Sequence, residues 1–282
     1  MESILAHFLT LFQYESISES SYKIKRIQSI LKLIQRGEII ELGKTIKNGM
    51  YYFAHGPIYI SKHLNYDDAK RRYRDLDIPE GTGFANVRLN MCDHSGTHID
   101  ALNHVSERGK LFGGIDIKTM RADVDGYKDL DVTTIPPIIT RAIFFNVSDI
   151  GLEREVTSED LQKRLRVSVE KGDAAIIYTG FSKDGAEEEP GIGLDAAKWL
   201  VSKGFGLVGS DSPRTEYVRK GSKSYLPVHR YLIAENGIPI IDNMYLEALA
   251  KLLGDRQEFV LIILPLRLSG ATASPLNPIA LL

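Results

Sequence analysis

An α/β fold is predicted by two features of the chain: short, continuous apolar runs, and glycine-ended helical segments set between them. "AAIIYTGF" (174–181), "FGLVGSDS" (205–212), "IPIIDNM" (238–244) and "FVLIILPLRL" (259–268) read as strands buried on both faces, because their apolar residues are continuous rather than alternating. "GLDAAKWLVSKG" and "VHRYLIAENG" read as helices, and a further helix, "NMYLEALAKLL", follows Asp242. Strand and helix in repeated alternation place the chain in the α/β class.

Upstream of these runs the elements follow in order. Residues 1 to about 36 carry two amphipathic helices: Ile4, Leu5, Phe8, Leu9 and Phe12 recur at helical spacing, and after a Ser-rich break so do Ile27, Ile30, Leu31 and Ile34. Ser21 is a candidate N-cap for the second helix and Gly37 a candidate stop. Their apolar stripes lack chemistry and suit packing or a subunit contact. From "EIIELGKTI" the texture changes to short strands, so residues 1–37 are expected to be a helical extension and residues 38–282 the functional domain. The charged stretch 61–83 reads as a solvated excursion that could flank a substrate pocket. No internal repeat or low-complexity tract is present.

Composition narrows the function. The chain has 282 residues, enough for a sizeable core, with 43% hydrophobic and 26% charged residues, as in globular proteins. A net charge of −2 with scattered Lys and Arg offers no field for nucleic acid. Cys92 is the only cysteine, which excludes an intrachain disulfide and a thiolate zinc cluster and fits a reducing cytoplasm. The longest apolar run is strand-sized, so no membrane span is expected. The N-terminus has Glu2 in place of a basic n-region and no small-x-small cleavage site, and reads as part of the mature protein.

The chemistry is concentrated in "DHSGTHIDALNHVS", Asp93 to Ser106, which holds three of the seven histidines, His94, His98 and His104, together with Asp93 and Asp100. A metal site needs several imidazoles or carboxylates converging within a few ångströms. Ser-Gly-Thr between His94 and His98 is poor helix material and predicts a turn that brings the two rings together. Asp100 then adds an anionic ligand on the same side of an extended chain. His104 would fall in a helix beginning near Asp100, where the plainer role of that Asp is a cap. Each histidine alone is an ordinary core or surface imidazole; the concentration of three points to a metal or catalytic site.

The residues His94-Ser-Gly96-Thr97-His98-Ile-Asp100-Ala-Leu-Asn-His104 resemble the H-x-G-T-H-x-D-x-P-x-H signature of the cyclase superfamily of metal-dependent hydrolases, which includes bacterial kynurenine formamidase and isatin hydrolase. Leu102 stands at the proline position. The likeness extends from about Ile39 through "IIYTGF", with Phe181 where the family has Trp, "EPGIGLDAAKWL", "LVGSDSP" with an early Ser212, and "LPVHRYLIAENGIPIIDNM", which matches His229 and places Asp242 where Glu is customary. In "LPLRLSGATASPLNPIAL", Asn277 occupies the usual Arg position.

The resemblance implies a compact α/β domain with a mixed sheet and a small β-barrel-like core, assembled as a homodimer or homotetramer, binding Mn2+ or Zn2+. By the same likeness His94, His98 and Asp100 are metal ligands, His104 is the acid/base, and His229 and Asp242 line the opposite wall, completing a second metal site or holding substrate. Read without it, His229 is a helix-start histidine exposed to solvent and Asp242 a loop residue capping the next helix. Thr97 and Gly96 are expected to shape the turn, Asp93 to hold an imidazole N–H, and His55 to contact a small-molecule substrate; His7 and His63 look incidental. The implied reaction is hydrolysis of an amide or cyclic amide C–N bond, of an arylformamide or isatin-like lactam. A lactone hydrolase and a binding protein with a structural metal are the alternatives. A metal-free nucleophilic hydrolase is disfavoured because "TGFSKDG" misses the G-x-S-x-G spacing.

Overall fold

Four parallel strands form the middle of the sheet that carries the site: β3 (Ile138–Asn146), β4 (Ala174–Tyr178), β5 (Leu207–Ser210) and β6 (Ile240–Asp242). The computed structural model describes residues 20–52, 55–151, 154–181, 189–219, 221 and 223–282. The first predicted N-terminal helix with His7, and residues 182–185 of "TGFSKDG", lie outside the described residues.

Strands β4, β5, β6 and β7 (Glu258–Ile263) are the four buried runs expected from the sequence. β3 was not anticipated, because Thr140 and Arg141 interrupt its apolar pattern. Both polar groups are satisfied: the Thr140 hydroxyl donates to the Gly172 carbonyl, and Arg141 pairs with Asp173 and Glu258. Phe145, Phe205 and Phe259 anchor the core beneath, all but fully buried.

With β1 (Ile39–Glu41), β2 (His98–Asp100), β8 (Ala273–Pro275) and β9 (Ile279–Leu281), the sheet runs β1-β9-β7-β3-β4-β5-β6-β2-β8. All pairings outside the central four strands are antiparallel, giving a mixed sheet. β8 and β9 lie near opposite ends of that order, yet only residues 276–278 join them. Such a link spans at most about 14 Å, so the sheet must roll until its ends meet. Contacts at the gap agree: Lys44 N–H donates across it to Thr97 Oγ1, while Gly43 N–H on Asn277 and Leu276 N–H on the Thr97 carbonyl extend the ladders on either side toward it. This rolled, half-barrel sheet is the β-barrel-like core that the resemblance implies.

Helix α1 (Ser20–Leu31) begins one residue before the expected cap Ser21 and ends well before Gly37, its last turn tightening into i→i+3 bonds. It packs on the sheet through Ile30, and Arg26 reaches Glu170 and Asp173. Helix α2 (Ser158–Arg164) starts with a Thr157–Asp160 capping box. Helix α3 (Leu194–Lys203) ends at Gly204 with φ +91°, the predicted glycine stop. "VHRYLIAENG" is a single α turn, Pro227–His229, running into a π-helical stretch, Arg230–Glu235, and helix α4 spans Glu247–Leu253. The charged excursion is a two-stranded ribbon, Tyr59–Leu64 with Asn86–Asn90, enclosing a short helix, Asp68–Arg72. The ribbon's return strand continues directly into Cys92 and Asp93, at the edge of the histidine motif.

Candidate metal centre

Alternation along β2 sets the centre of the site. His98 and Asp100, two residues apart, project from one face, while Ile99 projects from the other and is fully buried in the core. β6 runs antiparallel beside β2 with Asp242 opposite His98, which puts the second carboxylate on the same face. His94 arrives through the predicted turn. Ser95 N–H donates to the Cys92 carbonyl (3.0 Å), and Gly96 takes φ +72°, a left-handed conformation that a Cβ would strain. The His94 and His98 ring centroids are then 5.0 Å apart. His229, at the end of its α turn, enters from the opposite wall.

Asp100 is the hub. Its Oδ1 lies 3.0 Å from His94 Nδ1 and 3.5 Å from His98 Nε2; its Oδ2 lies 3.5 Å from His229 Nε2 and 3.9 Å from His104 Nε2. Asp242 Oδ2 is 3.4 Å from His229 Nε2 and 4.0 Å from His98 Nε2. All six predicted site residues therefore converge. Five are buried; the His104 side chain, at 22% exposed, stands on the rim.

The outer nitrogens of three rings are held by the protein. His94 Nε2 meets Thr272 Oγ1 at 2.9 Å, His98 Nδ1 the Gly96 carbonyl at 2.9 Å, and His229 Nδ1 Glu216 Oε1 at 2.8 Å. Each acceptor takes an N–H on the outer nitrogen, so that with a cation bound the inward nitrogen on the Asp100 side would be the one to ligate it, the arrangement metal-ligating histidines adopt. A divalent ion fits this donor set on independent grounds. Both Asp100 oxygens are buried with no aligned hydrogen-bond donor, a costly condition unless a cation answers it. Two ligand triads lie close enough to share an ion, His94–Asp100–His104 and His98–Asp100–Asp242.

The electrostatics follow from this crowding. Burial alone would push the Asp100 carboxyl up, but His104, His94 and His98 hold it well below the usual carboxylate range. Burial also works against charge on His229 and His94; for His229 the Asp242 and Glu216 carboxylates outweigh it and raise the pKa well above the ordinary value, and Asp100 does the same more modestly for His94. His104 is lowered to about 3, by burial first and then by His94, His229 and His98 acting against Asp100. His55 stacks on His94 with centroids 5.4 Å apart, and is lowered to about 4 by burial and by His94.

Several expectations are corrected. No helix begins at Asp100: it ends strand β2 and caps nothing, and His104 sits in a turn closed by its N–H on the Ala101 carbonyl. Asp93 does not hold an imidazole directly, its Oδ1 being 3.9 Å from His94 Nε2; it accepts from Thr272 and Ala273, and Thr272 carries the contact to His94. His229 does sit in the first turn of a helix, but its side chain is buried in the cluster rather than exposed to solvent, and Asp242 ends strand β6 instead of capping α4, which begins only at Glu247. Gly96 shapes the turn through its positive φ, whereas the Thr97 hydroxyl reaches out of it, donating to the Asn243 carbonyl at 2.6 Å and accepting the Lys44 N–H.

Sequence reasoning missed Thr272, Thr215 and Glu216. The Thr215 hydroxyl donates to Asp242 Oδ1 at 2.6 Å, and Glu216 holds His229. No spacing signal marks them, because only the topology brings them to the cluster. Of the departures, Leu102 is fully buried in the core, and Asn277 bonds Glu41 and Gly43. Asn277 also lines a groove of about 1090 Å³ with Lys44, Ile46, Arg88 and Leu89, which opens beside Cys92 and Asp93.

The family model described as "Putative cyclase" matches residues 40–217. Kynurenine formamidase of Bacillus thuringiensis subsp. konkukian (strain 97-27) is 30% identical over 229 residues, covering 79% of this chain and 95% of that one. A crystal structure of a novel cyclase superposes with a TM-score of 0.79 at 25% identity, covering 98% and 94% of the two chains. Isatin hydrolase A from Labrenzia aggregata bound to benzyl benzoate shares the fold, with a TM-score of 0.64 at 17% identity over 90% of this chain and 98% of that one.

Proposed function

The chain belongs to the cyclase family, and on that premise we propose that it is a metal-dependent hydrolase cleaving the C–N bond of an amide or cyclic amide, an arylformamide or an isatin-like lactam. The observation that carries the reading is Asp100, a buried carboxylate with no aligned hydrogen-bond donor on either oxygen among the described residues, set among four imidazoles and a second carboxylate.

A divalent ion, Zn2+ or Mn2+, supplies Lewis acidity there, making water nucleophilic at neutral pH and drawing charge from the scissile carbonyl. His94, His98 and Asp100 would hold it, with His229 and Asp242 completing the opposite wall. Asp242 reaches one methylene less far than the customary Glu, so a second ion would bind more weakly than the first. His104, largely buried with its side chain 22% exposed at the rim, and free of a fixed outer acceptor among the hydrogen bonds of the cluster, would carry the proton transfer, taking a proton from the attacking water and returning it to the leaving nitrogen. His55, stacked on His94, would touch the substrate's ring.

Residues 38–282 would carry the reaction, with 1–37 outside it. No helix among the described residues is long and apolar enough to cross a membrane. We place the protein in the cytoplasm as a homodimer or homotetramer; support comes from the single cysteine, half-buried and free, and from the two-stranded ribbon, whose Tyr59, Val87 and Leu89 are each more than half exposed.

The test is elemental analysis of the purified protein, followed by turnover of N-formylkynurenine, isatin and simple lactones after restoring the metal found. Stoichiometric metal with C–N cleavage supports the reading. Metal without turnover of any of these would favour a structural ion, and cleavage of lactones alone would move the leaving atom from nitrogen to oxygen.

A further inference from the structure

The tight turn Arg214–Glu216 lies outside the ligand set, yet it touches both ligands of the opposite wall. Thr215 has φ +52°, an outlier for a β-branched residue. In that conformation its hydroxyl meets Asp242 Oδ1 at 2.6 Å, while the next side chain, Glu216, reaches His229. Arg214 anchors the turn with a two-pronged pair to Glu189, at 2.8 and 2.9 Å.

Glu216 is 1% exposed and, among the described residues, no Lys or Arg pairs with it at contact distance, Arg214 acting on it only from further off. Its Oε2 accepts the Val228 N–H at 2.9 Å, which serves the start of the Pro227–His229 turn. Among the described residues its Oε1 serves only His229 Nδ1, at 2.8 Å. Burying a carboxylate costs several kcal/mol, and a helix start needs no more than a neutral acceptor. The other two imidazoles are held by a hydroxyl and a carbonyl; His229 alone is given a charged acceptor.

We infer that Glu216 and Thr215 are positioning residues for the opposite wall of the metal centre: Glu216 keeps the proton of His229 on Nδ1 and its Nε2 turned toward Asp100 and Asp242, and Thr215 fixes the rotation of the Asp242 carboxylate. The inference rests on the metal-centre reading. Neither residue touches the ion or the substrate; each acts through its ligand, by orientation and by the added basicity that a carboxylate lends an imidazole.

The experiment uses the full chain with ¹⁵N-labelled histidine, metal-free and zinc-loaded, as wild type, E216Q and T215V. Gln keeps the volume of Glu but offers one acceptor where two N–H donors converge, so it must lose one bond. The wild type is expected to show a solvent-protected Nδ1–H proton on His229, identified by its absence in His229→Gln. In E216Q that proton is expected to lose its protection, and the zinc held at the opposite wall to be released 10–100-fold more readily to a competing chelator. T215V is expected to weaken that zinc while leaving the Nδ1–H proton in place, a split that general loosening of the fold would not produce. Unchanged zinc affinity in both variants would overturn the inference. If E216Q does not fold, the wild-type spectrum decides, because a neutral His229 protonated on Nε2 overturns it as well. A wild type that binds no zinc would sink the metal-centre reading instead; the metal-free Nδ1–H proton would then separately uphold or overturn the orientation by Glu216.

Discussion

Replacing Asp100 with Asn keeps the shape of the hub and removes its charge. Four imidazole nitrogens lie 3.0 to 3.9 Å from the two Asp100 oxygens, so any cation shared by these groups would lie beside the charge that is removed. Two unit charges about 4 Å apart at an effective dielectric of about 20 interact by about 4 kcal/mol, a lower bound for a divalent ion held by the carboxylate, and roughly three decades of affinity. Strand β2 should survive the change. Ile99 stays in the core, Ala101 N–H still donates to the Thr272 carbonyl, and no hydrogen bond to the Asp100 side chain is lost. The expected result is a protein with a wild-type far-UV spectrum and cooperative melting whose metal is lost to a chelator that leaves wild type loaded, and whose hydrolysis is lost with it. Competition titration with a chromophoric chelator reads the affinity directly. An Asp100→Asn protein that held stoichiometric metal within tenfold of the wild-type affinity would refute Asp100 as the hub.

Three further outcomes are expected. His104→Ala should retain metal and lose at least about 10² in kcat, and unchanged turnover in steady-state assays would remove His104 from proton transfer. Asp160, paired with Arg154 and closing the capping box of α2, has its carboxyl held below the usual range by Arg154. Because the folded value is depressed, its contribution is complete above the ordinary carboxylate pKa and fades as pH falls below it. Asp160→Ala should therefore cost about 1 kcal/mol in urea melts at pH 7, with the gap to wild type closing toward pH 2. Gly126 has φ +118° and a Cβ there would run into the Gly270 carbonyl, so Gly126→Ala should destabilise by about 1–3 kcal/mol and disturb the neighbouring Thr272, weakening metal binding as well; calorimetry and chelator competition check the two effects.

The parts of the molecule legible in its sequence were those written locally. The turn at Gly96, the glycine stop at Gly204 and four buried strands each carry their signal within a few residues. β3 was hidden because Thr140 and Arg141 look like solvent-facing residues until their distant partners Gly172, Asp173 and Glu258 are known. For the same reason the N-terminal half of the site could be read from one peptide, whereas His229 and Asp242 looked ordinary without the family likeness. Thr272 and Glu216 could not be read at all: a hydroxyl 178 positions from its imidazole leaves no periodicity to find. Asp100 was open to misreading as a cap because a first-turn Asp and a strand-end ligand have the same local sequence, and only the pairing of β2 with β6 and β8 tells them apart.

The three-residue link between β8 and β9 has a bearing on when the protein can acquire its metal. During synthesis, His94, His98 and Asp100 leave the ribosome long before the segment that flanks β2 and supplies Thr272. Until residues 272–281 have been made, β2 has one neighbour only and His94 lacks its outer acceptor. On the proposed ligand set, a nascent chain would expose a loose, partial site for most of its translation, and tight loading would wait for the final seam to shut.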